Sequence, residues 1–455
     1  MQDTANPQAT GQQALDSNYA WMRLCISLLL MIIGGSGMYM AIIVLPELQQ
    51  EFGVTRADAS LPYTLTMVGF GVGGVLMGRL ADRYGVWLPI ILGGSCLGSG
   101  FLLGAGAASL WYFSLVQGLL VGMLGSSSSF APLMADTSLW FVKRRGIAVG
   151  IVASGNYMAG AIWPPLVRHW VDLFGWRDTM MGVGLFCMAT MLPLALLLRR
   201  KVPGHSDSSA TELEAAQASD PRAAQSYSAQ LDQPFETVAR GEQAHEKSRH
   251  SPESSLGISS SALLALLCLA GVACCVAMAM PQVHIVAYCS DLGFGAVKGA
   301  QMLSVMLAAG VVSRLIFGLI SDRIGGLRTL LLGSVLQGLA LLLFIPFQEL
   351  GSLFIVSALF GLFQGGIVPA YAIIVREYFP PRVAATRVGI VIMFTLAGMA
   401  LGGWMSGWIF DLSGSYEAAF INGIGWNLVN LIIVLGLLQR QRLMKARLML
   451  AGRAA

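Results

Sequence analysis

Long apolar segments recur along the whole chain and constrain its fold more than any other feature. Each is about 20 residues long, the length that a helix needs to cross the hydrocarbon core of a bilayer. The alternation of apolar and polar residues that marks the strands of a membrane barrel does not occur. We predict twelve spans, at 21–45, 61–78, 87–107, 111–135, 146–166, 178–198, 259–287, 299–318, 328–347, 351–375, 387–409 and 417–438.

The composition agrees with an all-α membrane protein. Only 11% of the residues are charged and 55% are hydrophobic, whereas soluble domains are about 25% charged. The seven cysteines lie in or beside apolar spans and lack the spacing of metal ligands. They are therefore expected to be free thiols, and neither a metal site nor a cofactor is predicted.

Lysine and arginine concentrate on alternate links between the spans, which predicts the orientation. The opposite links hold only Arg56, Arg168, Arg177 and Lys298. The rich side is expected to be cytoplasmic, so the protein would cross the cell (inner) membrane with both termini in the cytoplasm. The net charge of +4 then reflects topology rather than binding to nucleic acid. The rich set is Arg79, Arg83, Lys143, Arg144, Arg145, Arg199, Arg200, Lys201, Arg323, Arg328, Arg376, Arg382, Arg387, Arg440, Arg442, Lys445 and Arg447.

A polar stretch at 201–258 divides the chain into two sets of six spans. It is rich in Ser, Ala, Gln and acidic residues and poor in large apolar residues, so it is predicted to be a disordered cytoplasmic linker. The predicted organisation is a cytoplasmic tail at 1–20, a six-helix bundle at 21–200, the linker, a second bundle at 259–438 and a basic tail at 439–455.

The two halves are related by an internal repeat. The sequence GRLADRYG at 78–85 matches GLISDRIG at 318–325, an offset of 240 residues that also pairs Gly93 with Gly333. Matches at one register across several helices indicate a true repeat. Two six-helix repeats of the same orientation imply a pseudo-two-fold axis along the membrane normal, with a substrate site between them near the midplane.

These repeated motifs resemble the signature of the major facilitator superfamily, Gly-x-x-x-Asp-Arg-x-Gly. The resemblance implies a transporter in which Asp82 holds an outward-open state by accepting hydrogen bonds from a helix N-terminus, a contact that breaks on inward opening. A plain turn that caps a helix is the alternative for each copy. The motif residues are Gly78, Asp82, Arg83 and Gly85 in the first copy and Gly318, Asp322, Arg323 and Gly325 in the second.

Arg314 is the most unusual charge in the chain because it stands inside the eighth span. It lies eight residues, roughly 12 Å along a helix, from Asp322, and the repeat offset places Gly74 in the equivalent position. No Asp or Glu falls in the middle of any predicted span. An arginine without a carboxylate partner favours an anionic ligand, which its planar guanidinium can bind through two hydrogen bonds. Bonding to helix carbonyls or water is the alternative.

An arginine four residues before the glycine of GLISD resembles the branch of monocarboxylate transporters and oxalate–formate antiporters. Animal members carry an aspartate where this chain has Gly310 and a lysine at the position of Tyr39. Oxalate exchangers carry a lysine in span eleven, which is absent here. One fixed cation favours a monoanion, and both proton symport and exchange for a counter-anion stay open.

Other polar residues are candidates for the same site. Asn156 and Tyr157 in span five could donate to a carboxylate, and Tyr39 and Tyr371 face the cavity in the family plan. His284, in the outer third of span seven, could move a proton or gate the outer vestibule. Ordinary packing is the alternative for each of these residues.

We therefore predict a secondary active transporter of a small organic anion, in particular a monocarboxylate, that acts as a monomer within the lipid bilayer. Protons or a counter-anion would be its coupling partners. The alternatives are a proton-coupled drug or metabolite efflux antiporter of the same fold and a transporter-like membrane sensor. An enzyme is not predicted, because the spans offer no catalytic arrangement of paired acids, Ser and His or metal ligands.

Overall fold

The computed structural model describes residues 16–141, 145–200 and 257–454, and these are helical almost throughout. The helices of the N-terminal half are α1 (Asn18–Gly34), α2 (Ser36–Ile43), α3 (Leu45–Phe52), α4 (Arg56–Ala59), α5 (Leu61–Tyr84), α6 (Trp87–Ala105), α7 (Leu110–Val116), α8 (Ala131–Trp140) and α9 (Arg145–Leu197). Those of the C-terminal half are α10 (Ser260–Asp291), α11 (Ala296–Ile324), α12 (Gly326–Leu343), α13 (Leu350–Gln364), α14 (Ile367–Tyr378), α15 (Pro381–Ser413) and α16 (Tyr416–Ala454).

The twelve predicted crossings are accounted for by eleven helical stretches in the described ranges that are long and apolar enough to span a membrane. One of them, Ile147–Leu197, has 51 residues and holds two crossings. Its only non-helical residue is Gly175, with φ of 80°. The predicted end of span five at residue 166 is therefore wrong, because α9 continues through Pro164 and Pro165. Membrane helices tolerate proline where neighbouring groups satisfy the freed carbonyls.

The internal repeat is visible in the helix breaks. Span four passes from α7 through a π-helical segment, Gln117–Gly125, and a short 3-10 helix, Ser126–Ser129, before α8. Span ten breaks between α13 and α14 at 365–366, which is the same place after an offset of 240 residues. The motif glycines Gly85 and Gly325 also share a backbone conformation, with φ of 87° and 81°. L side chains rarely adopt such angles, which explains the final glycine of each motif.

The predicted tail at 1–20 and linker at 201–258 lie almost wholly outside the described residues. The segment predicted as a basic tail, 439–455, continues the last helix as part of α16 as far as Ala454.

The two halves pack together mostly through α5 against α15 and α9 against α11. We call the end of the bundle that carries Arg56 the Arg56 end and the opposite end, with the first motif, the Asp82 end. Close contacts between the halves run from the middle of the bundle toward the Arg56 end, where a Cβ on Gly407 would lie 2.9 Å from the carbonyl oxygen of Arg56. Toward the Asp82 end, by contrast, a Cβ on Gly78 or Gly318 would meet nothing within 4 Å.

Candidate functional site

Arg314 lies between the two halves of the molecule. It belongs to α11 of the C-terminal half, yet its Nη1 donates to the carbonyl oxygen of Ala153 on α9 of the N-terminal half at 2.5 Å. Its Cζ lies 4.1 Å from the centre of the Tyr157 ring, within the range of a cation–π interaction. The Nε–H is buried and has no hydrogen-bond partner in the described part of the chain. The guanidinium is therefore only partly satisfied.

The position of the Tyr157 ring depends on Gly310, one turn before Arg314. A Cβ at residue 310 would lie 2.4 Å from two ring carbons of Tyr157, a distance that real contacts do not reach. The ring thus fills the space that a side chain at 310 would need. Arg314 and Tyr157 can stack because Gly310 has no side chain.

Tyr39 extends this cluster toward the first span. It is buried on α2 and its hydroxyl donates to the backbone carbonyl of Asn156 at 3.2 Å. A Cβ on Gly160 would lie 2.4 Å from the Tyr39 ring, so α2 and α9 are in close contact there. The structure thereby brings together four of the six predicted substrate-binding residues: Arg314, Tyr157, Asn156 and Tyr39.

Tyr371 and His284 bond elsewhere in this state. Tyr371 is fully buried on α14 and its hydroxyl donates to the side-chain oxygen of Asn430 at 3.1 Å, within the C-terminal half. His284 is fully buried on α10, 2.7 Å from the carbonyl oxygen of Gly403 through Nε2 and 3.2 Å from the hydroxyl of Tyr416 through Nδ1. Its partners lie toward the Arg56 end.

The Arg56 end holds a charged contact between the halves that sequence reasoning missed. The guanidinium of Arg56 lies 3.1 Å from the carboxylate of Asp291 and donates to the hydroxyl of Tyr416 at 3.0 Å. The carboxylate of Asp411 accepts the backbone N–H groups of Arg56 and Ala57, at 2.8 and 2.7 Å. The only signal in the sequence was that Arg56 stands on the side poor in lysine and arginine.

The fully buried arginines, unlike the partly buried Arg314, are neutralised by carboxylates. Arg23, 3% exposed inside the first predicted span, binds Asp136 through two hydrogen bonds of 2.8 Å. Arg168, 7% exposed, binds Glu47 and Asp172. Arg314 has no such partner among the residues that the structure describes.

The motif charges at the Asp82 end are exposed. Asp82, Arg83, Asp322 and Arg323 all face solvent in this state, and within the described ranges no hydrogen bond or ion pair connects Asp82 to another residue. In the second half, the N-terminus of α12 is instead capped by Glu377, which accepts the N–H of Gly326 at 2.9 Å. The interhelix contact that the resemblance implies for Asp82 is not formed here.

Comparison with known proteins agrees with this architecture. The family model of the Major Facilitator Superfamily matches residues 27–352 and 302–448. Monocarboxylate transporter 12 of Mus musculus is 27% identical over 406 residues, covering 87% of this chain and 79% of that protein. Monocarboxylate transporter 13 of Rattus norvegicus is 26% identical over 374 residues, covering 80% and 75%.

Solved structures share the fold at low identity. A crystal structure of the peptide transporter POT in complex with sulfate superposes with a TM-score of 0.69 at 13% identity, over 97% of this chain and 99% of that one. A bacterial homolog of the human lysosomal transporter Spinster, in an inward-facing and occupied conformation, gives 0.66 at 14% identity over 94% and 98%. The family model, which matches most of the chain, shows that it belongs to the major facilitator superfamily, and the resemblance to monocarboxylate transporters seen in its sequence is confirmed by these relatives.

Proposed function

We propose that this transporter is a secondary carrier of a small organic anion, a monocarboxylate, and that Arg314 is the anchor for the carboxylate. The observation that carries the proposal is the state of Arg314: a cation between the two halves, with a buried Nε–H that no described residue accepts. The names of the curated relatives support the same class of substrate.

The geometry suits one carboxylate. The free Nε–H and the adjacent N–H groups of a guanidinium form the fork that binds both oxygens of a carboxylate. Tyr39, Asn156 and Tyr157 lie around it and would line the rest of the site. Arg314 supplies a single positive charge, which matches one negative charge on the ligand and makes a dianion a poor fit.

We further propose that the carrier works by alternating access and that the Asp82 end faces the cytoplasm. The orientation rests on the excess of lysine and arginine at that end, and it would put both termini on the cytoplasmic side of the cell (inner) membrane. The present state would then be closed outside and face inward. Because both halves of the site come from one chain, a monomer would suffice for transport. Tyr371 and His284 would contribute only after rearrangement, His284 as part of the outer gate.

The test is a thermal-shift screen of the purified carrier with pyruvate, lactate, glycolate, formate, oxalate, benzoate and cationic controls. A ligand that binds only the folded state adds RT ln(1 + [L]/Kd), about 2.7 kcal/mol at about 100 times Kd. We expect a monocarboxylate to stabilise the wild type and Arg440→Gln, an exposed arginine far from the site, but not Arg314→Gln.

Two results would contradict the proposal. One is stabilisation of the wild type by cations but by none of the acids, which would favour the efflux antiporter. The other is an equal response to the acid in Arg314→Gln and in the wild type, which would make Arg314 part of the scaffold.

A further inference from the structure

We propose that this carrier is an anion exchanger, in which one organic monoanion moves in as another moves out and the site carries no proton. The inference rests on the proposed function and adds its coupling partner, a second organic anion. Three features of the Arg314 cluster support it: a fixed charge, a neighbour that cannot neutralise it and a bond across the halves that the substrate must replace.

The charge at the site is permanent. A guanidinium stays protonated at any working pH, and within the described ranges no carboxylate binds Arg314. The acids nearest the spans are used elsewhere: Asp136 binds Arg23, Asp291 binds Arg56, and Glu377 caps α12. The empty site therefore holds one uncompensated positive charge, and the loaded site holds none.

The surroundings of Arg314 leave no room for a titratable side chain at residue 310, one turn before it. The Tyr157 ring occupies the space beside Gly310, 2.4 Å from where a Cβ would stand. That ring attracts the guanidinium through its face, at 4.1 Å, but brings no negative charge. A carrier that binds a proton beside its arginine needs an acid there, and this packing excludes one at residue 310.

The empty carrier also has a direct obstacle to switching. Arg314 bonds to Ala153 across the interface of α11 and α9, so the empty protein must break this bond to change state. It must then carry an uncompensated charge through an arrangement that is closed to water on both sides, which is costly. A bound carboxylate satisfies the guanidinium in place of Ala153 and neutralises it. Switching is thus favoured only when an anion is bound, in either direction, and one monoanion exchanges for one monoanion with no net charge or proton moved.

His284 does not supply a proton site for the same cluster. Its two ring nitrogens face Gly403 and Tyr416, and Tyr416 also accepts from Arg56. A neutral imidazole fits this network, with Nε2–H donating to Gly403 and Nδ1 accepting from Tyr416; this tautomer is assigned from the bonding pattern. Arg56, Asp291 and Asp411 are the charges around it, and all belong to the contact at the Arg56 end.

The first test measures exchange directly. The purified full-length carrier is reconstituted in proteoliposomes with the membrane potential clamped, and the vesicles are loaded with labelled pyruvate, lactate, glycolate or benzoate in separate runs. Arg314→Gln vesicles give the leak of each acid through lipid. Unlabelled acid outside should speed efflux by about tenfold or more, since each factor of ten corresponds to about 1.4 kcal/mol of barrier removed by the bound anion. A pH gradient should leave the exchange rate unchanged.

Several outcomes would overturn the inference. Net efflux as fast as exchange, or driven by a pH gradient, identifies a uniporter or a proton symporter while leaving the proposed function intact. If an acid stabilises the wild type in the thermal-shift screen but shows no acceleration by external acid, exchange alone fails. If no acid stabilises or moves, the proposed function fails and the exchanger fails with it.

A second test restores a titratable partner. The double variant Gly310→Asp with Tyr157→Ala removes the ring and places an acid one turn from Arg314; Gly310→Asn with Tyr157→Ala is the uncharged match. We expect the Asp variant alone to gain net efflux relative to exchange, and its net efflux to depend on pH. The same gain in the Asn variant would show that removal of the ring, not charge compensation, controls switching, and would overturn the inference.

Discussion

The two ends of the bundle use their charges in opposite ways. The Asp82 end carries most of the arginine and lysine, and the motif charges there are exposed. The Arg56 end has fewer arginine and lysine residues, but Arg56, Asp291 and Asp411 join the two halves there through bonds of 2.7–3.1 Å. Specific contacts at the Arg56 end thus join the two halves in this state, whereas the motif charges at the other end stay exposed.

The contact of Asp411 with α4 shows why few residues suffice. Its carboxylate accepts two backbone N–H groups in the first turn of a helix from the other half, where the partial positive charge favours an anion. The contact resembles the one predicted for Asp82, but it occurs at the opposite end of the bundle.

The largest effect is expected for Arg56→Gln. The change removes the ion pair with Asp291 and leaves that carboxylate without its partner. Because Asp291 is 36% exposed, the closed Arg56 end should lose about 2 kcal/mol of stability, less than for a fully buried pair. The Arg56 end should open, which can be measured as faster labelling of Thr64→Cys, in a background without other cysteines, by a maleimide that cannot cross membranes. Arg177→Gln is the matched control, because Arg177 bonds only within the N-terminal half. Equal labelling in both variants would refute the assignment of Arg56 to the gate.

Asp411→Asn should have a smaller effect in the same direction. An asparagine can accept one of the two backbone N–H groups but presents its own NH₂ to the other. The contact between the halves should therefore be weaker by about 1–2 kcal/mol. Asp58→Asn serves as the control, since the side chain of Asp58 bonds to Thr55 in its own half. If labelling at residue 64 does not rise in Asp411→Asn, the carboxylate does not hold the halves together.

A steric change distinguishes the ends without altering charge. In Gly407→Ala the new methyl would lie 2.9–3.0 Å from backbone atoms of Arg56 and Ala57. This crowding should destabilise the closed Arg56 end by about 1 kcal/mol. The equilibrium should therefore shift toward a state in which that end is open. Gly78→Ala meets open space in the present state and should not raise the labelling of Thr64→Cys. An equal rise in both would mean that helix packing in general, rather than contact at the Arg56 end, sets the state.

The sequence predicted the features that depend on patterns over many residues, such as the apolar spans and the repeat, and it singled out one residue, Arg314, that breaks such a pattern. Span lengths and the offset of 240 residues gave the twelve crossings and the two halves. Arg314 was singled out because a charge inside an apolar helix requires a partner, and in the structure it contacts the other half through Ala153. The predicted end of span five at residue 166 was wrong because α9 continues past it, and the backbone leaves helical geometry only at Gly175.

The contacts at the Arg56 end could not be predicted in the same way. Arg56 and Asp411 are 355 residues apart, and each lies beside a short link where a charge is usually solvated. The stacking of Tyr157 on Arg314 was also beyond the sequence. The missing side chain at Gly310 was visible, but which neighbour fills the space depends on how α9 and α11 approach each other.

The smallest expected effect concerns Glu51, which lies at the Arg56 end but bonds only within the N-terminal half. Its carboxylate accepts from Arg177 and from Trp176, both at 2.6 Å, and the hydrogen bond from Arg177 is the main cause that lowers the pKa of Glu51 below its ordinary value of 4.5. A lowered pKa in the folded state means that Glu51 contributes stability above pH 4.5 and loses it as the pH falls through the lower folded value. The wild type should therefore unfold at a higher temperature than Glu51→Gln at neutral pH, by a small margin because the pair is exposed to solvent, and the margin should shrink below pH 4.5.

Labelling of Thr64→Cys should be the same in both, since these bonds stabilise one half rather than the contact between halves. A change in labelling would place Glu51 in the gate and remove the distinction between contacts that hold the fold and contacts that hold the state.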